Sequence, residues 1–399
     1  MKILFLSIGR LENLQAHSLY PDLLRKFKDE GHDVYVVSPR ERRFKLNTEL
    51  SKADGIHSLK VRIGNITKTN LIEKGITTIM IESLFLKAIK KYFGEVKFDL
   101  VLYSTPPITF EKVVSYIKKR DGARSYLMLK DIFPQNAVDL QILSKNSLMY
   151  RYFRTKEKKL YTKSDIIGCM SPANVRYVLK NNPAIARDKV EVCPNSIETS
   201  RYDMPYEKRS LIRHKYNIPN DKIVFVYGGN LGKPQGIDFL IECLRSQQDN
   251  SEVYFLIIGS GTEYQKLENY YKASRQDNLK VMSALPKADY DKMIYACDVG
   301  MIFLDRRFTI PNFPSRLLSY MQAKLPVFAV TDENTDVGKI ITDGQFGWWS
   351  RAGDIESFCL TLKGILNEDI KFAGEKAYEY LLQNYTVQNT YKIIMEHFI

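Results

Sequence analysis

Residues 223–236 read Ile-Val-Phe-Val-Tyr-Gly-Gly-Asn-Leu-Gly-Lys-Pro-Gln-Gly. Ile223 to Tyr227 is a short continuous apolar run, the pattern of a parallel strand covered on both faces. Gly228, Gly229, Gly232 and Gly236 follow it. Lacking Cβ atoms, they let the chain turn sharply and leave backbone amides bare enough to approach a ligand. Ile237, Leu240, Ile241 and Leu244 then recur at helical spacing, so the loop opens onto a helix N-terminus, where anions bind readily. This order predicts a phosphate-bearing ligand; the competing reading is a glycine-rich β–α turn that binds nothing. Because the loop begins past the midpoint, the second half becomes a nucleotide-binding candidate in its own right.

Working outward, 399 residues are too many for one ordinary core and fit two domains. Hydrophobic residues at 44% and charged residues at 26% describe a globular chain, neither disordered nor membrane-spanning. The apolar start, Met1 to Ile8, is ended by Gly9-Arg10, too soon for a signal-peptide core. The later apolar stretch 76–93 is broken by Glu82, Lys87, Lys90 and Lys91, so no transmembrane helix is expected. Cys169, Cys193, Cys243, Cys297 and Cys359 are scattered in apolar sequence, which predicts buried thiols in a reducing cytoplasm rather than disulfides. The five histidines are equally dispersed, and no metal-ligand spacing appears.

The net charge of +13 is one-sided: residues 1–200 hold 35 Lys+Arg against 21 Asp+Glu, and residues 201–399 hold 24 against 25. Basic residues interleave with aromatics at Tyr150, Arg151, Tyr152, Phe153, Arg154, Lys156, Lys158, Lys159, Tyr161 and Lys163. Two further clusters lie at Lys118-Lys119-Arg120 and at Lys87, Lys90 and Lys91. An anionic membrane surface attracts such patches at about 1 kcal/mol per charge. No nucleic-acid-binding module is recognisable, so nucleic acid is not expected as a partner; solvated helix faces remain the plainer alternative.

Short strands alternate with amphipathic helices in both halves, the signature of parallel α/β sheets. Strands are expected at 3–7, 33–38, 59–63, 100–104, 125–129, 165–170 and 190–194, then at 223–227, 253–258, 279–282, 299–304, 325–330 and 346–349. The polar segment 199–221, with Pro205 and Pro219, is the linker candidate. Hence the expected domains are residues 1–200 and 201–385, with a C-terminal helix at 386–399 packing back on the first. The fold class is α/β, with two Rossmann-like domains facing each other across a cleft at the carboxyl ends of both sheets, one substrate on each wall.

A second informative segment, residues 311–327, reads Pro-Asn-Phe-Pro-Ser-Arg-Leu-Leu-Ser-Tyr-Met-Gln-Ala-Lys-Leu-Pro-Val. Proline suits a first helical turn, so a helix is expected to begin near Pro314 or Ser315. Ser315 and Arg316 would then offer a hydroxyl, free amides and a guanidinium to a diphosphate. An ordinary capped helix with a surface arginine is the plainer reading.

These segments carry a family resemblance. The chain resembles the GT-B nucleotide-sugar glycosyltransferases of retaining family 4, and within them the branch of capsule and O-antigen sugar transferases. The similarity runs end to end. It takes in Gly31-His32-Asp33-Val34, Ser104-Thr105-Pro106-Pro107, Lys130-Asp131-Ile132-Phe133-Pro134 and Ser164-Asp165 with Met170-Ser171. It continues through Pro194-Asn195-Ser196, Gly229-Asn230-Leu231-Gly232 with Gln235-Gly236, Ile257-Ile258-Gly259-Ser260-Gly261 and Pro314-Ser315-Arg316 with Pro326-Val327.

The resemblance implies a donor-binding second domain. Gly229, Asn230 and Gln235 would line the diphosphate with Gly259 and Gly261 nearby, and backbone at Met282–Leu285 would meet the base. Ser315 and Arg316 would hold the phosphates. It implies an acceptor-binding first domain with Gly9, Arg10, His17, Thr105 and Asp131 at the cleft. Many members carry arginine and lysine five residues apart in the glycine loop, where this chain has Asn230 and Gln235. Many also carry two glutamates eight residues apart, where Pro311 and Ser319 stand, and a histidine where Lys130 stands. Arg316, supported by Lys233, is therefore expected to supply the positive charge.

By this resemblance the chain is expected to be a cytoplasmic, peripherally membrane-bound transferase. It would move a sugar, with retention, from a nucleoside diphosphate (UDP in the first instance) to a polyprenyl-diphosphate-linked glycan in capsule or O-antigen synthesis. The leaving phosphate can accept the acceptor proton while positive charge stabilises it, and Arg316 is the residue expected there. Asp131 orients the acceptor or acts as a base, or else it caps the Phe133-Pro134 turn. No cofactor and no metal are expected, since no acidic cluster marks the donor loops. A nucleotide-sugar epimerase on the same fold and a non-catalytic membrane-bound partner of a transferase complex are the alternatives.

Overall fold

Eight strands form one sheet in the first part of the chain: β1 (Lys2–Leu6), β2 (Asp33–Glu41), β3 (Glu49–Ala53), β4 (Ile56–Ile63), β5 (Leu100–Ser104), β6 (Arg124–Leu129), β7 (Ile166–Cys169) and β8 (Val190–Val192). The computed structural model describes residues 1–67, 69–200 and 204–398. The strand order is β3-β4-β2-β1-β5-β6-β7-β8, parallel throughout except where β3 pairs antiparallel with β4. The chain leaves β1 in one direction and returns to β5 on its other side, so the β1 and β5 loops flank a topological switch point, where such sheets open a crevice. β5 is buried at all five positions, which accounts for its apolar run Leu100 to Tyr103.

The edge strand β3 departs from the expectation of parallel strands alone. Its residues are mostly exposed, so no apolar pattern announces it. The signal is the two-residue turn Asp54-Gly55, both at positive φ (52° and 81°), which is the hairpin geometry that Asp-Gly favours.

The second sheet contains β9 (Ile223–Asn230), β10 (Val253–Ser260), β11 (Leu279–Ser283), β12 (Val299–Phe303), β13 (Val327–Thr331) and β14 (Gly347–Arg351). Its order is β11-β10-β9-β12-β13-β14, all parallel, with the reversal between β9 and β12. β9 runs past the apolar stretch to Asn230, with Gly229 opposite Gly259 and Asn230 opposite Ser260. A Cβ on Gly259 would lie 2.0 Å from the Gly229 carbonyl oxygen, and one on Gly261 would lie 2.3 Å from that of Leu231. Glycine at both positions lets the two strand ends lie against each other.

Contacts divide the chain into two units, Met1–Glu198 with Val387–Ile399, and Thr199–Thr386. The first core gathers Ile3, Phe5, Leu24, Phe27, Leu100 and Tyr126, and the C-terminal helix (Val387–Met395) contributes Val387, Ile394 and Met395. Tyr391 of that helix stands edge-on to Phe27 at 5.2 Å and hydrogen-bonds His32 Nε2 at 3.0 Å. The second core is built on Phe225, Tyr227, Phe255, Ile257, Met301 and Phe303.

The expected linker at 199–221 is corrected in part. Residues 201–203, at its start and at the expected boundary, lie outside the described residues. Tyr206–Lys215 is a helix fastened to the second unit. Arg213, buried, donates to Asp298 at 2.6 Å and to the Ala296 carbonyl at 2.8 Å, and Arg209 meets the same carboxylate. Polar composition hid this anchor, because the buried residue is an arginine rather than an apolar one. Four of the five free cysteines are buried and Cys359 is half-buried. Among the described residues no helix is long and apolar enough to cross a membrane.

Candidate functional site

In the second unit, helix Arg316–Gln322 buries Leu317, Leu318, Tyr320 and Met321. The Tyr320 hydroxyl accepts from the Gly228 amide at 3.2 Å and sits 3.2 and 3.1 Å from the carbonyl oxygens of Val226 and Met301. This hydroxyl ties the helix to the ends of β9 and β12. Arg316, its first residue, therefore lies at the glycine loop. Its guanidinium covers the Tyr227 ring at 4.2 Å, and a Cβ on Gly229 would be 3.6 Å from its Nη2.

The charge of Arg316 has no counter-ion among the described residues. Nη1 is buried without a hydrogen-bond partner, and its electrostatic neighbours are the tyrosines Tyr227, Tyr320 and Tyr290 rather than carboxylates. Arg316 is half-buried, and a buried donor left unpaired on a cation is costly, so this arrangement fits an anion. Burial pushes up the pKa of the Tyr227 hydroxyl, with the guanidinium opposing it, so the ring under Arg316 stays neutral.

The glycine loop is closed by its own amides. Gln235 Oε1 accepts from the Gly232 amide at 3.1 Å and from Asn230 Nδ2 at 2.8 Å; the Tyr227 hydroxyl donates to the Asn230 carbonyl at 2.7 Å. Asn230 and Gln235 thus hold the shape of the loop and bring no charge to it. Gly236, at φ 58°, delivers the chain into helix Ile237–Ser246, and Lys233 is exposed beside it.

The other residues expected in the donor site lie at strand ends or in the first turn of the helix. Ser315 caps the helix with an exposed side chain that makes no capping bond, and half-buried Ser319 follows one turn later. Met282 is half-buried on β11 opposite Ile258, and Leu285 is half-buried just beyond that strand.

Sequence reasoning overlooked the groups that hold the approach to Arg316. Asp332, at the end of β13, accepts from the amides of Asn334 and Thr335, both at 2.9 Å, and from the Thr335 hydroxyl at 2.9 Å. Thr335 Oγ1 in turn accepts from the Asn312 amide at 3.1 Å, and Asn334 Nδ2 donates to the Phe308 carbonyl at 2.7 Å. Segment 308–312 is thereby fastened just before Ser315 and Arg316. Burial lifts the Asp332 carboxyl to about 6, against the pull of the hydrogen bonds from Thr335 and Asn334. The Asp-x-Asn-Thr spelling of an Asx turn was the available signal. Tyr227 and Tyr320 were legible only as core residues.

In the first unit, Gly9 lies in the loop after β1 and donates to Ser7 Oγ at 2.9 Å. Arg10 is exposed, stacks over Phe44 at 4.1 Å and meets Glu12 at 3.3 Å. Thr105, buried after β5, spends its hydroxyl on the β6 loop: it accepts from the Lys130 and Asp131 amides at 3.0 and 3.3 Å and donates to the Asp131 carbonyl at 3.1 Å. Thr105 and Asp131 are thus brought together. Both Asp131 oxygens lie 2.9 Å from Asn136 Nδ2, and burial raises its pKa. Beside it, burial lowers that of Lys130, whose Nζ reaches the Cys193 carbonyl at 3.4 Å.

His17 belongs to a cluster with Asp22 and Glu198, the one grouping among the described residues with metal-ligand types in reach of one another. Arg25 already occupies it, donating to Asp22 at 2.5 Å and to Glu198 at 2.9 Å. The amides of Ser18 and Glu198 take the remaining Asp22 positions, both at 3.0 Å. The donor set is that of an arginine–carboxylate lock.

Residues 21–201 match the family described as Glycosyltransferase Family 4, and residues 208–384 match Glycosyl transferases group 1. The chain is 25% identical over 321 residues to a Pseudomonas aeruginosa protein named as a probable glycosyltransferase, WbjE, covering 80% of this chain and 78% of that one. It is 23% identical over 252 residues to a protein of Escherichia coli (strain K12) named as a colanic acid biosynthesis glycosyl transferase, WcaI, covering 61% and 60%. Among solved structures, HepE of Anabaena in complex with UDP and glucose superposes with a TM-score of 0.70 at 14% identity, covering 100% of this chain and 99% of that one. That likeness shows the fold, which is GT-B with two Rossmann-like domains.

Proposed function

Because the chain is a glycosyltransferase with a Family 4 first domain and a group 1 second domain, we propose that its second domain binds a nucleoside-diphosphate sugar at the β9 loop with Arg316 on the diphosphate. The observation that carries this reading is the Arg316 guanidinium: buried Nη1 without a partner, over the Tyr227 ring, and against Gly229. A guanidinium presents a rigid fork of donors that suits phosphate. Ser315, exposed at the same helix start, adds a hydroxyl. The preferred nucleotide is UDP, in keeping with the UDP bound by the structurally similar HepE.

In this reading the sugar is transferred with retention to a polyprenyl-diphosphate-linked glycan at the anionic inner face of the plasma membrane, during surface polysaccharide synthesis. The name of WcaI and the basic first half of the chain support it. The acceptor hydroxyl attacks the anomeric carbon on the face the nucleotide leaves. The C–O bond to the diphosphate breaks, and the departing phosphate oxygen takes the hydroxyl proton. Arg316 stabilises the charge that develops there, an electrostatic role that needs no side-chain base. Asp131 orients the acceptor hydroxyl. Neutralisation is assigned to Arg316, and Asp305, beside the loop, is already bidentate with Arg307 at 2.8 and 2.7 Å. The test is nucleotide release from UDP-sugars with polyprenyl-diphosphate-linked acceptors. Release that requires the acceptor supports transfer, whereas conversion of the UDP-sugar with no acceptor marks an epimerase, and no turnover with any pair marks a non-catalytic partner.

A further inference from the structure

Helices Leu71–Tyr92 and Leu148–Lys163 of the first unit connect parallel strands, β4 to β5 and β6 to β7. They therefore run in the same direction, starting from the carboxyl edge of the sheet. Helix Glu111–Asp121 packs against both, and Lys156 reaches Glu82 at 3.3 Å while Glu82 accepts from the Lys112 amide at 2.6 Å. These bonds hold the outer helices level with each other.

Their exposed faces repeat one pattern. Near the start of the first helix, Ile76 (55% exposed), Ile79 and Met80 face solvent, followed on the same face by exposed Lys87, Lys90 and Lys91. At the start of the other, Leu148 (81% exposed), Met149 and Tyr152 are exposed, with Ile142 (60%) on the loop before it, followed by Lys158, Lys159 and Lys163. Lys145 and Arg151 lie exposed among the apolar tip residues. The only acidic residue from 140 to 164 is Glu157, which is buried and paired with Arg154. Ile76 and Met80 also line a groove with Arg62 and with the Arg42–Glu73 ion pair.

We propose that this face, apolar tips at the sheet edge backed by exposed cations, docks the first domain on an anionic phospholipid bilayer. The tips of both helices enter the headgroup boundary while the lysines contact lipid phosphates. The commitment to anionic lipid follows from charge complementarity. Large apolar side chains at such exposure favour an apolar phase, and the absence of exposed acid over 140–164 favours a uniformly negative one. The placement deepens, and rests on, the reading of a lipid-linked acceptor. It puts the acceptor domain's loops against the surface that would carry that acceptor.

The test is flotation of the full-length protein with vesicles of phosphatidylcholine alone or with about 30 mol % phosphatidylglycerol, a composition that sets a negative surface potential. Binding is expected only to the anionic vesicles and should weaken at high salt. Arg151→Gln should lower partitioning about fivefold, and Leu148→Glu by roughly tenfold or more. Leu211→Glu, at an exposed position on helix Tyr206–Lys215 of the second unit, should change nothing. No flotation, equal flotation on neutral vesicles, or full binding by Leu148→Glu with an unchanged Tm would overturn the proposal. So would binding to an oligonucleotide with none to vesicles. Nucleotide release to a water-soluble acceptor analogue separates the two ideas: turnover without flotation refutes the docking face alone, and flotation without turnover refutes the transfer reading alone.

Discussion

Replacing Arg316 by methionine should move the free and liganded protein in opposite directions. In the free protein the change removes a cation whose Nη1 is buried without a partner and leaves an unbranched stem over Tyr227. Arg316 is half-buried, so its unpaired Nη1 costs about 1–3 kcal/mol, and the lost contact with the Tyr227 ring is worth about 0.5–2 kcal/mol. The balance is a free variant more stable by on the order of 1 kcal/mol. The diphosphate tells the other way. Each charge-assisted hydrogen bond contributes about 1.5–3 kcal/mol, so loss of a two-pronged contact should weaken UDP binding by about two to four orders of magnitude. Thermal melts with and without UDP read both effects. At a hundredfold excess over its dissociation constant, UDP should stabilise the wild type by about 2.7 kcal/mol, which for a unit of this size is a rise of roughly 5–10 °C. At the same concentration the variant should barely move. An equal UDP shift in both proteins would refute Arg316 as the phosphate ligand. A free variant destabilised by several kcal/mol would instead make the guanidinium a structural element.

Two further outcomes follow from groups whose bonding is explicit. The Asp332 carboxyl, lifted to about 6 by burial, binds its proton more tightly in the folded than in the unfolded chain. The stability it contributes is therefore full below the ordinary carboxylate range and is lost as pH rises through about 6, a swing of about 3 kcal/mol. Asp332→Asn keeps the carbonyl acceptor for Asn334 and Thr335 but cannot ionise. Urea melts should find it equal to wild type near pH 4 and more stable near pH 7.5, and parallel stability profiles would contradict the assignment. Thr105→Val removes the hydroxyl that accepts from Lys130 and Asp131, at a cost of about 1–3 kcal/mol. Steady-state kinetics should show a lower kcat/KM for the acceptor with donor affinity unchanged; a change confined to donor affinity would remove Asp131 from the acceptor side.

The alternation of apolar runs with amphipathic helices was enough to locate all but one of the strands, because parallel strands covered on both faces must be apolar throughout. It missed β3, whose edge position requires no apolar run, and it missed the helix at 206–215, whose buried contact is the Arg213 guanidinium. The glycine loop was legible because its backbone leaves glycine little substitute: opposite each other, Gly259 has no room for a side chain and Gly229 sits at φ 117°. What the loop's amides do was not legible. Asn230 and Gln235 read as ligand contacts, and the fold pairs them with each other. Arg316 was marked by its place after Pro314, yet its tyrosine surroundings combine Tyr320 of its own helix with Tyr227 and Tyr290, which the chain brings in from two other elements. Composition and spacing by themselves determined the architecture, since they report which segments must be buried. Only the tertiary structure decided which charges are paired, because a charge's partner is set by distance in space: Tyr320 is one turn along the same helix, but Tyr227 and Tyr290 reach Arg316 from far along the chain.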